Sequence, residues 1–246
     1  MKRMDRHQEQ WENLGGQDPY WAVLSDPAKK GGKWSKDEFF ASGQREIEQV
    51  MANLARLRVP LRSGVALDFG CGVGRLSRAL STHFEKVIGV DISGSMLEEA
   101  RKQNHDFPNL EFLHNVASDL KLIPGEAIDF VYSNIVLQHM PAERQRSFIG
   151  EFCRTLRPGG VAVFQAPSRY DLASLGGWIG FILGNRLLNM ARRAIREKHA
   201  FMEFHALARE DVLATLGKGG MQVAEIERYD VTGPAFVSYR YYAVKL

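Results

Sequence analysis

The sequence predicts a doubly wound α/β fold built on a mostly parallel sheet. Three observations carry that expectation. Short apolar runs rich in Val, Ile and Phe alternate with helical stretches from residue 61 to 167. A glycine cluster, Asp68-Phe69-Gly70-Cys71-Gly72-Val73-Gly74, falls between the first run and the helix that follows it. An acid, Asp91, closes the next run. Strands alternating with helices at this spacing build parallel sheets covered on both faces.

The elements follow in order. Ile47, Val50, Met51, Leu54 and Leu57 recur every three or four residues, one apolar helix face, which Pro60 ends. Val65–Phe69 reads as a buried strand and Arg75–Phe84 as a helix. Val87–Asp91 is the second strand, and Ser93 supplies a hydroxyl to cap the helix after it. Leu110–His114, Ile128–Ser133 and Val161–Gln165 are strands three to five, with a helix over Pro141–Leu156 joining the last two. Beyond them lie an apolar helical insert over about 170–197, a helix near Arg209–Leu216, and strands over Met221–Glu227 and Phe236–Val244. The expected organisation is an N-terminal helical lid over 1–60, a core over 61–167, and the insert and last strands over 168–246.

The bulk properties set limits. The 246 residues are 45% hydrophobic and 25% charged, the balance of a globular domain with a real core. A net charge of +3 is too weak to argue for a nucleic-acid partner. Two cysteines, Cys71 and Cys153, make neither a disulfide framework nor a metal cluster, so no metal is expected. The polar N-terminus lacks an apolar targeting core, and a cytoplasmic location is the simplest expectation. The stretch Leu172–Met190 is interrupted by four glycines and Arg186, short of a membrane span.

The glycine turn carries the chemistry. Glycines let the backbone turn sharply and let a ligand approach the main chain. The helix start behind them offers unpaired N–H groups and the positive end of a dipole. The spacing is G-x-G-x-G with an aspartate two residues earlier, whereas dinucleotide-binding turns read G-x-G-x-x-G. Asp91, 21 positions after Gly70, suits a ribose diol. Residues and spacing alone point to a nucleotide-like ligand.

Val65–Gly74 resembles motif I of the class I S-adenosylmethionine-dependent methyltransferases, and Val90-Asp91-Ile92-Ser93 resembles their motif II. Asp129–Asn134 is similar to motif IV, and Leu156-Arg157-Pro158-Gly159-Gly160 to the loop before strand five. The resemblance runs in order over about 60–170 and implies S-adenosyl-L-methionine as cofactor. It also implies a seven-stranded sheet with its last strand antiparallel. By that resemblance Gly70 and Gly72 lie against the methionine moiety, with Cys71 and Gly74 completing the turn. Asp68 holds the amino end directly or through water, Asp91 the ribose, and Ile92 and Met96 flank the adenine, while Asn134 lines the mouth where methyl passes. Phe112–Asp119 stands where the family reads adenine, and the usual acid there is missing. The backbone of Val116 and Ala117 takes its place.

Methyl transfer needs alignment and exclusion of water, plus a base when the acceptor is a hydroxyl. His139, following strand four, is the first base candidate, with a structural role at the start of the next helix as the alternative. His205 is the second, with a supporting role as its alternative. The expected acceptor is a small molecule such as a sugar, polyketide or glycolipid intermediate, methylated on oxygen in preference to nitrogen. A catalytically silent cofactor-binding subunit and a nicotinamide-dependent dehydrogenase are the rival readings. The apolar positions of 172–196 suit a core or dimer face first, a substrate cap second and peripheral lipid contact last, and a monomer or homodimer is expected.

Overall fold

A computed structural model describes residues 6–179, 181–182, 202–231 and 233–246. Seven strands form one sheet: β1 (Val65–Phe69), β2 (Lys86–Asp91), β3 (Leu110–His114), β4 (Ile128–Ser133), β5 (Leu156–Tyr170), β6 (Met221–Arg228) and β7 (Phe236–Lys245). Their order is β3-β2-β1-β4-β5-β7-β6. β1 runs parallel to β2 and β4, β2 parallel to β3, and β7 antiparallel to both β5 and β6. The mostly parallel sheet is the one the alternation of strand and helix signals anticipated, and its seven strands with an antiparallel last strand are what the resemblance implied.

The chain divides into two compact units, one reaching to Ala117 and including Ala127–Tyr132, the other formed by Ser118–Glu126 and Ser133–Leu246. The first unit holds α1 (Arg6–Gln17), α2 (Pro19–Val23), α3 (Lys36–Arg56), α4 (Arg75–Leu80) and α5 (Gly94–Gln103). β1 and β4, in the middle of the sheet, are buried on both faces by covering helices: Ala66, Leu67, Phe130, Val131 and Tyr132 are buried, whereas β3 at the edge exposes Glu111 and His114. α3 begins at Ser35, whose hydroxyl accepts from Glu38 N–H, and buries Phe39, Phe40, Ile47, Val50 and Leu54. α4 is shorter than its sequence pattern, ending at Leu80, because Thr82 to Phe84 turn on bonds to Ala79 and Leu80 carbonyls.

The second unit holds α6 (Ala142–Thr155) and α7 (Arg209–Lys218) beside β5, β6 and β7. β5 is longer than the apolar run that announced it. Pairing with β7 continues from Val161 to Tyr170, and the register shifts between Pro167 and Arg169. Pro167 has no N–H to give a ladder, so it is accommodated where the pairing is irregular. Of the apolar insert, residues 175–179 are helical, and Leu175, Trp178, Phe181 and Ile182 are exposed. Leu187, Met190 and the basic flank Arg192, Arg193 and Arg196 lie outside the described residues. Among the described residues no helix is long and apolar enough to cross a membrane.

Candidate functional site: a glycine cradle and a histidine cluster

The cradle belongs to the first unit. Gly70, Gly72 and Gly74 all take left-handed backbone angles, φ +76°, +52° and +79°, which explains glycine at each alternate position. The turn is fastened to the end of β2: the N–H groups of Gly70 and Cys71 both donate to Val90 O, at 2.8 and 3.1 Å. A Cβ on Gly72 would come within 2.6 Å of Val23, and one on Gly74 within 2.7 Å of the Asn104 amide. The Cys71 thiol packs in a buried cluster with Leu97, Ala100 and Phe112 and points its hydrogen at Gly72 O, 3.8 Å away. Burial, with Asp91 and Asp68 nearby, holds that thiol well above its usual range. Its contribution to a ligand is therefore backbone only.

Asp91 is clasped from two sides. Its Oδ2 accepts from Gly72 N–H at 2.8 Å and its Oδ1 from Ser93 N–H at 2.9 Å. Each oxygen keeps a second lone pair, and the residue is partly exposed. Burial raises its pKa, while the N–H groups of Ser93, Gly72 and Ile92 oppose that rise. A carboxylate fixed this way presents two acceptors side by side, the geometry a vicinal diol requires.

Asp68 is buried at 1% exposure, and Ser77 Oγ donates to its Oδ2 at 2.6 Å. Burial pushes its pKa to about 7, against the pull of the Ser77 bond and the Arg75 guanidinium. A cation brought to this carboxyl offsets the cost of ionising it. The donor set therefore fits a ligand with a ribose at one end and a cationic amino acid at the other.

The remaining cradle residues are placed as follows. Ser93 Oγ caps α5 by accepting from Met96 N–H, and Met96 is buried. Ile92 is held through its carbonyl, which accepts from the His114 ring at 2.9 Å. Val116 and Ala117 are exposed beyond β3, in a turn made by Asn115 Oδ1 accepting from Ala117 N–H at 3.3 Å. Asn115 N–H in turn donates to Asp91 O.

The histidines belong to the second unit. Asn134 is buried directly after β4, and the next residue, Ile135, has φ +61°. A β-branched residue there is a strained outlier. Gln165 holds it in place, accepting from Ile135 N–H at 3.2 Å while its amide donates to Ser238 Oγ. His139 is buried; its Nδ1 donates to Glu203 O at 2.9 Å, which leaves Nε2 to accept from the Gln138 amide at 3.2 Å. His205 is partly exposed, with Nε2 3.3 Å from the Glu203 carboxylate. Its N–H donates to Gln138 O at 2.7 Å, and its carbonyl accepts from Gln145 at 3.2 Å. The two histidines thus share one hydrogen-bonded cluster.

A family model described as a methyltransferase domain matches residues 66–160. That stretch carries a methyltransferase domain, on the sheet order of the class I methyltransferase fold. Trans-aconitate 2-methyltransferase of Azoarcus sp. is 32% identical over 166 residues, covering 63% of this chain and 62% of that protein. Malonyl-(acyl-carrier protein) O-methyltransferase of Enterobacter lignolyticus is 34% identical over 133 residues, covering 53% and 50%. The chain thus spans between half and just under two thirds of the length of these relatives. Magnesium protoporphyrin IX methyltransferase from Synechocystis, solved with S-adenosylhomocysteine, shares the fold with a TM-score of 0.63 at 21% identity. That match covers 97% of this chain and 98% of the other.

Several residues of this methyltransferase domain and its flanks escaped the sequence reading. Ile135 and Gln165 look like ordinary strand-end residues. Glu12 and Val23 of the N-terminal helices meet the α5 start and Gly72, and nothing in their local pattern singles them out. Glu203 sits two residues before His205, a spacing that hinted at a pair.

Proposed function

We propose that the chain transfers the methyl group of S-adenosylmethionine to an oxygen of a small-molecule acceptor, with His205 as base and Glu203 orienting it. The observation that supports this most is the His205–Glu203 pair itself. A partly exposed imidazole beside a carboxylate is the arrangement that fixes a tautomer and steadies the imidazolium formed when a proton is taken up. His139 suits a supporting role better, because its Nδ1–H grips the Glu203 carbonyl and Gln138 covers its basic nitrogen. Base action by His139 requires the Gln138 amide to leave first.

In the cradle, Asp91 would hold the ribose, the backbone of Gly70–Gly74 the methionine portion and Asp68 its ammonium. Ile92 and Met96 would flank the adenine, with the exposed main chain at Val116 and Ala117 meeting its polar edge. When bound, the cofactor supplies a methyl group activated by positive sulfur. The chain's own work is to fix that group's position, keep water out and remove one proton from the acceptor. The O-methyltransferase named among the relatives agrees with an oxygen acceptor.

The test combines isotope-labelled S-adenosylmethionine, fractionated cell extract and mass spectrometry of the labelled product. Label on nitrogen, or no transfer despite cofactor binding, overturns the oxygen reading. Once an acceptor is found, His205→Ala should lower kcat at least a hundredfold with cofactor affinity kept. His139→Ala with the larger kcat loss and an altered acidic limb of the pH profile would return the base role to His139.

A further inference from the structure

The first amides of α5 are shared between two carboxylates. Ser93 N–H goes to Asp91, and Met96 N–H to Ser93 Oγ. The two N–H groups between them, Gly94 and Ser95, donate to Glu12 of α1 at 2.8 and 3.0 Å. Ser95 Oγ donates back to Glu12 O at 3.2 Å. The helices also touch closely here, since a Cβ on Gly15 would lie 2.5 Å from Ser95 Oγ. A carboxylate from another helix thus satisfies orphan donors that most helices leave to water or to their own cap.

α1 and α2 form a built piece of structure with a second attachment. Asp18 caps α2 through Trp21 N–H and also accepts from Gly31 and Gly32, closing the loop behind it. Tyr20 donates to Glu99 of α5 at 3.0 Å and meets the Phe39 ring edge-on at 4.9 Å. Val23 packs on Gly72 in the middle of the glycine turn. The segment therefore lies on the cradle at Gly72 and on the α5 start one amide away from the acid assigned to ribose.

From this we infer that α1–α2 is a lid over the cofactor cradle and that Glu12 is its latch, a positioning residue that governs how fast cofactor and product exchange. The inference rests on the proposed cofactor reading. Passage of a nucleoside-sized ligand past Val23 and the α5 start requires the Glu12 bonds to open, and their charge-assisted character sets the cost. Glu99 on Tyr20 is the secondary hold.

The experiment is stopped-flow release of S-adenosylhomocysteine, followed by intrinsic tryptophan fluorescence, for wild type, Glu12→Gln, Glu12→Ala and Tyr20→Phe. Hydrogen exchange of the same proteins reports on α1. Loss of two charge-assisted bonds should speed release about tenfold in Glu12→Ala, with less effect in Tyr20→Phe. Exchange should rise in α1 and at Gly94–Ser95 while β1, β2 and β4 stay protected. Release within twofold of wild type in both Glu12 variants overturns the latch, and so does exchange that rises throughout the sheet. Wild type that fails to bind S-adenosylhomocysteine sinks the cofactor reading instead, a separate and earlier result.

Discussion

Asp68 titrates in a range where most aspartates are already ionised. Its folded pKa of about 7 lies above the unfolded value, so the folded state keeps a proton that the unfolded chain has lost. Its contribution to stability is fully present below about pH 4 and lost as pH rises toward 7, a loss on the order of a few kcal/mol. Asp68→Asn keeps an oxygen for the Ser77 bond and removes the charge. We expect the ligand-free variant to melt higher than wild type at pH 8 and no higher at pH 4. The same change should weaken S-adenosylhomocysteine at least tenfold, since the ammonium loses its counter-charge. Unchanged affinity would remove Asp68 from the site. Ile135 is the second residue of this kind. Relieving its left-handed backbone with Ile135→Gly should raise stability by about 1 kcal/mol. Gln165→Ala, which leaves the Ile135 N–H without its acceptor, should lower it by about 1–3 kcal/mol, both read from urea denaturation.

At the scale of elements, α3 is tied to the glycine turn by charge. Glu46 accepts from Arg75 at 2.8 Å through one oxygen and from Tyr132 Oη at 2.7 Å through the other. A Cβ on Gly43 would lie 2.6 Å from the Arg75 carbonyl, so helix and turn meet at backbone distance. Arg75 is buried, and Glu46→Ala strands its charge. That should cost about 3–5 kcal/mol and lower the melting temperature by about 6–20 °C, measured by calorimetry. A change under 2 °C would show that water reaches Arg75 freely. These long-range ties were not legible in the sequence, because Glu46, Arg75 and Tyr132 lie far apart in the chain and each looks ordinary locally. What was legible is local or periodic. The central strands were readable because burial on both faces writes short, mostly apolar runs, as in Val65–Phe69 and Ile128–Ser133. The extension of β5 through Pro167 was not, since pairing with β7 overrides the local aversion of proline to a ladder. The cradle could be read because left-handed turns leave glycine as the residue that fits. His139 and His205 could be picked out as candidates, but their linkage through Gln138 and Glu203 could not, because the distant segment 203–205 completes it.

For the molecule as a whole, the discriminating question is which nucleotide the fold accepts, since doubly wound sheets host several at the carboxyl ends of their strands. Two features of the cradle favour the methyl donor. Gly72 N–H is spent on Asp91, which ties the turn and the acid proposed for ribose together at this spacing. Asp68, sealed under Ser77 at the base of the turn, suits an ammonium and would repel the pyrophosphate of a dinucleotide. A ligand that binds only the folded state at a hundred times its Kd stabilises by about 2.7 kcal/mol, or about 5–11 °C for a chain of this length. S-adenosylhomocysteine should produce that shift and NAD none at equal concentration. The shift should grow between pH 6 and pH 8 as Asp68 becomes able to ionise against the bound ammonium. A shift with NAD alone would place the chain among dehydrogenases. A shift with S-adenosylhomocysteine that ignores pH and survives Asp68→Asn would keep the cofactor and move its amino end elsewhere in the cradle.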